Sequence, residues 1–194
     1  MGLITTSNPF LTNIEYEKLD NDEQELIKAL IDLSSDHLEK QCRRKFREQN
    51  FIETKDGDGS SSILIKNPPI TTLNSVTIIS SDNSENEYSS LYFLPENEAG
   101  IITWNTRLNN CLRFFPRGIQ NIIIDYDGGY TTVPKMVEFL VAEMVIEAFA
   151  KDAGVNNVAK QKIGQYFVDY GPQIFDRVLV HKKQILHSLR VKSF

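Results

Sequence analysis

Cysteine is scarce in this sequence. Only Cys42 and Cys111 occur among 194 residues, without the paired spacing of a zinc site or the density of a disulfide scaffold, so reduced thiols in a cytosol are expected. Long apolar runs are missing too: a charge interrupts each one well before the ~18 residues of a membrane span. Met1 to Phe10 lacks the basic start and apolar centre of a signal peptide, so neither a signal nor a membrane contact is expected. Seven prolines against ten glycines, with 41% hydrophobic and 24% charged residues, exclude a collagen and a disordered tail. The glycines spell neither a Walker loop nor a dinucleotide fingerprint. There are three histidines, and His181 and His187, six apart, fall on different faces of a helix instead of converging on a metal, while His37 reads as solvated surface. No nucleophile motif is present, and a hydrolase assembled from distant residues has no nucleophile that can be nominated. The expectation is a protein with no enzymatic activity, no metal and no cofactor.

The charge that is present is unevenly spread. The chain carries net −5, made of −8 over residues 1–130 and +3 over 131–194. An acidic body is a poor general binder of nucleic acid, because that affinity comes mostly from phosphate neutralisation by Lys and Arg. Any cationic surface must be local.

Hydrophobic spacing predicts a long amphipathic helix from Asp22 to Cys42, with Leu26, Ile27, Leu30, Ile31, Leu33, Leu38 and Cys42 on its stripe. Asn21 is the expected cap, Gln24 its capping-box partner, and Arg43, Arg44, Lys45 and Arg47 suit the negative end of the dipole. A short helix is expected within Pro9 to Leu19. From Phe51 to Tyr130 the pattern turns to short β-rich runs: 51–55, 62–66, 74–80, 91–94, 101–104, 111–115 and 121–126, pairing mostly antiparallel. Asp56-Gly57-Asp58-Gly59 reads as a hairpin signal, and Asp82 to Glu87 as a polar loop. A second helix is predicted from Pro134 to Lys151, with Val137, Leu140, Val141, Met144, Val145 and Ala148 on one face and Gly154 at its stop. A third spans Pro172 to Leu189. Val155 to Gly171 reads as polar, interrupted chain that is mobile in the free subunit and orders on assembly. The fold class is therefore α+β: one long N-terminal helix and two C-terminal helices around an inserted antiparallel β-module. A single domain over 1–194 is expected, with 51–130 as the insertion and 172–194 as a basic helix and tail.

Candidate sites weigh little. Asp56, Asp58, Gly59 and Ser60 begin like a calcium loop, but its twelfth position is Asn67 instead of an acid, which favours a turn. Asp125 and Asp127 read as turn residues at a strand end. Arg43 to Arg47 reads as a solvated helix end, and the basic last helix, ending in Val191-Lys192-Ser193-Phe194, as a possible docking tail.

Several segments in order resemble the head-tail connector (adaptor) family of tailed bacteriophages. They are Leu3-Ile4-Thr5, Cys42-Arg43-Arg44-Lys45-Phe46, Asp56-Gly57-Asp58-Gly59 before Ile63 to Ile65, and Pro69-Ile70 leading to Ser75-Val76-Thr77. Further along come Phe115-Pro116-Arg117-Gly118 before Asn121-Ile122-Ile123, then Tyr126-x-Gly-Gly-Tyr130, Val133-Pro134 and Ile163-Gly164-Gln165-Tyr166. The resemblance implies a structural part of the virion at the head-tail junction, made in the bacterial host cytoplasm. It implies a homo-oligomeric ring, with twelve copies expected, beneath the portal protein. That ring would extend the DNA channel and offer a platform to a neck, stopper or tail-completion protein, and DNA would pass without sequence-specific binding. Its charge makes Pro172 to Phe194 the expected portal-docking segment, through Arg177, Lys182, Lys183, Arg190, Lys192 and Phe194. The rival reading is a small nucleic-acid-binding factor using the basic segments 43–47 and 177–192.

Overall fold

The computed structural model describes residues 2–12, 14–105, 113–152, 160–163, 166–169, 176, 178–180 and 182–190, with side chains for all of these except 150–152, 160–163 and 166–169. The chain forms two compact units, Met1–Arg44 with Val133–Phe194, and Lys45–Thr132. The class is α+β, with a long N-terminal helix, antiparallel sheets and C-terminal helices.

In the first unit, α1 runs Asn21–Cys42. Its cap is Asp20, one residue earlier than expected. The Asp20 carboxylate accepts from Glu23 N–H at 2.8 Å while the Glu23 carboxylate accepts from Asp20 N–H at 3.1 Å. Asp20 wins over Asn21 because its extended backbone already points the carboxylate at the free N–H groups of the first turn. Gln24 instead donates its amide to the carbonyls of Tyr16 and Leu19. Asp20→Ala should cost about 1 kcal/mol, read as a lower urea midpoint with unchanged slope. The chain before it holds two single turns of 3-10 helix, Pro9–Leu11 and Tyr16–Lys18, in place of one short helix.

Helix α2, Lys135–Asp152, packs on α1. Leu26, Ile27, Leu30, Ile31, Leu38 and Cys42 are buried from α1, and all six stripe residues expected on α2 are buried as well. Leu33 is only half-buried. The expected third helix is divided: residues 176 and 178–180 are helical, Lys182 stands at an N-cap, and α3 is Lys183–Leu189. Among the described residues of this stretch, Val178, Leu179 and Leu186 are buried, the last of them in α3. Gly154 lies outside the described residues. Within the stretch expected to be irregular, β8 (Lys160–Ile163) and β9 (Tyr166–Asp169) pair antiparallel, a ladder that side-chain polarity does not reveal.

The second unit holds β1 (Gln49–Gly57), β2 (Ser62–Leu64), β3 (Ile70–Ile79), β4 (Glu85–Ser89), β5 (Phe93–Glu96), β6 (Ile101–Trp104) and β7 (Gly118–Gly128). They form a four-stranded sheet in the order β1-β7-β3-β4 and a three-stranded sheet in the order β2-β6-β5, every ladder antiparallel. One core joins them: Val76, Ile122, Ile124 and Tyr126 from the larger sheet meet Phe93, Ile102 and Trp104 from the smaller. The Asp56 to Gly59 turn is therefore no hairpin, since β1 and β2 belong to different sheets; Ser60 N–H donates to the Asp58 carboxylate at 2.8 Å and bends the chain between them. Nor is Asp82 to Glu87 wholly a loop. Ser80 N–H donates to the Ser84 carbonyl at 2.9 Å, and Glu85 to Ser89 then pair with β3. The ladder satisfies the backbone whatever the outward side chains are. Of the run 111–115, only Arg113 to Phe115 are described, and they form no regular strand.

Candidate assembly surfaces

Of the six docking candidates, Arg177, Lys192 and Phe194 lie outside the described residues. The other three differ in what they touch. The Lys182 ammonium is 3.5 Å from the Glu143 carboxylate and 5.1 Å from the centre of the Phe139 ring. Arg190 donates through Nε to the Gln41 carbonyl at 3.0 Å, near the negative end of α1. Lys183 is exposed. A further tie runs from α1: His37 Nε2 is 3.2 Å from Asp176 Oδ1. Part of the positive charge read as a free docking face thus fastens the C-terminal helix to α1 and α2.

The basic run after α1 also divides. Arg43 adopts a left-handed conformation, φ 57°, and Arg44 N–H donates back to the Glu39 carbonyl at 3.2 Å. Arg43 and Lys45 are exposed, while Arg44 is 9% exposed, so this is not a uniformly solvated end. Burial pushes the Cys42 thiol up to about 11, which leaves little thiolate at neutral pH. Among the described residues no group of His, Cys, Asp and Glu could hold a metal ion. No helix among them is long and apolar enough to cross a membrane.

In the β unit, the Glu53 carboxylate is the meeting point of a polar cluster. Lys66 N–H donates to both its oxygens at 3.0 and 3.1 Å, Asn67 Nδ2 donates at 3.3 Å, Lys55 Nζ lies at 3.0 Å, and the Tyr126 hydroxyl donates to Oε1. Tyr126 in turn accepts from Asn67 N–H at 3.2 Å. Burial first, and the Glu53 carboxylate second, raise the Tyr126 pKa above its ordinary value. A side chain at Gly128 would lie 2.5 Å from the Asn67 carbonyl and 2.6 Å from the Tyr126 ring, so the close approach around this cluster requires glycine.

The outward face of the larger sheet carries Glu85 and Glu87 on β4 and Asp125 and Asp127 on β7. Asp125 and Asp127 are not turn residues: both lie inside β7. Amides of Asn74 and Asn50, at 3.0 and 2.7 Å, lower the Asp125 carboxyl pKa. Lys55 is the only Lys or Arg in the four strands, and it sits on the inner side with Glu53.

Sequence spacing does not anticipate one further arrangement. Arg113 lies over three rings, with its guanidinium carbon 5.4 Å from the centroid of Trp104, 5.9 Å from Tyr92 and 6.0 Å from Tyr88. These rings come from β6, a 3-10 turn at Ser90–Tyr92, and β4. No local pattern could have joined them.

The profile of the family described as "Head completion protein" (HCP) matches residues 3–165. The chain belongs to the head completion protein family. Two solved structures share the fold over all of this chain. A subunit in the neck of an empty GTA particle computed with C6 symmetry has a TM-score of 0.55 and 12% identity, with 94% of that chain covered. One in the neck of a native GTA particle computed with C12 symmetry has a TM-score of 0.53 and 13% identity, with 96% covered. No curated protein matches. Head completion protein membership agrees with the connector resemblance of the ordered motifs, and the two neck subunits share the fold of this chain.

Proposed function

We propose that copies of this head completion protein close into a ring of twelve beneath the portal protein, extend the DNA channel and present a platform to the next neck, stopper or tail-completion component. The observation that carries this reading is the whole-chain similarity to subunits in necks computed with sixfold and twelvefold symmetry. A net charge of −5 suits a channel through which DNA slides without sequence-specific binding, because such a surface gains little counterion-release affinity for phosphate. The chain acts as one connector domain, with residues 51–130 inserted between its helices, and is made in the bacterial host cytoplasm before joining the virion.

Docking on portal is assigned to the segment Pro172 to Phe194, through Lys183 and, in part, Lys182 and Arg190, with Arg177, Lys192 and Phe194. Native mass of the full-length chain, alone and mixed with portal rings, tests the proposal. A portal-bound assembly of many copies is expected, and a chain that never adds mass to portal rejects it. Removing the whole segment should abolish binding, but Val178, Leu179 and Leu186 are buried. Deletion of Val191 to Phe194 combined with Lys183→Glu therefore separates docking from folding. That variant should bind portal at least about tenfold more weakly, and unchanged binding would count against this segment.

A further inference from the structure

Among the described residues, the β unit carries unpaired charges of opposite sign on the two sides of one strand. Arg113 is stacked on Tyr88, Tyr92 and Trp104, and among the described residues it meets no carboxylate. Tyr88 points from β4 toward the shared core. Successive residues of a strand face opposite ways, so Glu85 and Glu87 project from the other side of β4. Both are exposed, and among the described residues neither has an ion-pair partner. Within one copy the sheet separates the guanidinium from the two carboxylates.

We propose that Arg113 of one copy pairs with the Glu85 and Glu87 edge of β4 on the next copy, forming the head-to-tail contact of the ring. This inference rests on the ring reading above and deepens it. A ring of identical subunits needs two different, complementary patches on each subunit, facing different neighbours. Charges that cannot meet within a copy, yet complement each other between copies, supply such a pair.

The chemistry on the Arg113 side is that of an interface anchor. A guanidinium lying on aromatic faces keeps its N–H edge free for a carboxylate. Its conformation is already constrained by the rings, so little side-chain entropy is lost on pairing. Leu91, 75% exposed, and Phe114, 53% exposed, border Tyr92 and Arg113 with apolar surface that water leaves on contact. Arginine and aromatic residues ringed by apolar contacts are the composition of a binding hot spot. On the other side, β4 is an edge strand, and Glu85 and Glu87 alternate with Asn86 and Tyr88 along it, so both carboxylates reach out on one face of the ladder to β3. The like-signed Asp125 and Asp127 lie on the same face and add to its attraction for a cation.

Two full-length variants test this in combination. Arg113→Glu makes both patches acidic, and the double variant Glu85→Lys, Glu87→Lys makes both basic. Each alone should associate with itself at least about 30-fold more weakly than the wild type, through like-charge opposition. Mixed in equal amounts, the two should assemble again, because each patch of one variant then meets its opposite on the other. The readout is mass over a concentration series, with and without portal rings, and far-UV circular dichroism confirms that each variant is folded. Folded variants that assemble singly like the wild type, or a mixture no better than either variant alone, overturn the contact. A wild-type chain that remains monomeric under both conditions overturns the ring reading itself.

Discussion

Trp104→Ala lowers the stability of the β unit by about 3–5 kcal/mol, the range for removing a large buried aromatic. Trp104 is 3% exposed, and its ring packs against Phe93 at 4.5 Å, Tyr88 at 5.2 Å and Phe115 at 5.7 Å between centroids. Among the described residues it is the one side chain that touches aromatic partners from both sheets and also supports Arg113. Deleting it opens a cavity where the sheets meet, and neighbours held in antiparallel ladders can relax only partly into the space. Trp104→Phe should cost much less, about 1–2 kcal/mol, because the indole Nε1 is buried with no hydrogen-bond partner among the described residues, so its loss breaks none of their bonds. Urea unfolding followed by far-UV circular dichroism separates the two. Equal losses would mean that ring volume is not what this position contributes.

Glu53→Ala is expected to cost about 3 kcal/mol, the second large effect. Its carboxylate side chain is 12% exposed and accepts from Lys66 N–H, Asn67 Nδ2 and the Tyr126 hydroxyl. Truncation leaves the Tyr126 hydroxyl and the Asn67 amide without this acceptor, and each buried orphan costs about 1–3 kcal/mol; the salt bridge to Lys55 adds little, since that lysine is partly exposed. Tyr126→Phe removes one donor from Glu53 and also the acceptor of the Asn67 N–H, while the bonds from Lys66 N–H and Asn67 Nδ2 to Glu53 stay in place, and should cost about 2 kcal/mol. The double variant should cost less than the sum of the singles, since both act on one network. Trp104 is the only tryptophan, so its fluorescence follows unfolding in this series. Strict additivity would show that Glu53 and Tyr126 act independently.

Helix positions were legible because burial on a helix repeats at a short, local period. The stripe Leu26, Ile27, Leu30, Ile31 and Leu38 needs no knowledge of its partner, and the same holds for Val137 to Ala148. The cap slipped by one residue because Asp20 and Asn21 are both good caps and only the backbone conformation chooses between them. Strand β6 is legible to the residue and β7 in outline, since each alternates or runs apolar over its length. Strand β4 is not legible in the sequence because its outward residues are acidic and its ladder partner, β3, is what holds it. The Asp56 to Gly59 turn is legible but its consequence is not, because a turn motif reports a local bend and says nothing about which sheet the next strand joins.

Composition and motif order alone were sufficient for the α+β class, for the absence of a recognisable catalytic motif and for the connector family, because each of these depends on local periods and on residues close together in the chain. Tertiary structure alone decided that β1 and β2 part into different sheets, that Lys182 and Arg190 are tied to Glu143 and Gln41, and that Arg113 rests on three rings from three elements. Those contacts join residues far apart in the chain, and their geometry exists only after the backbone ladders and helix packing have brought distant segments together.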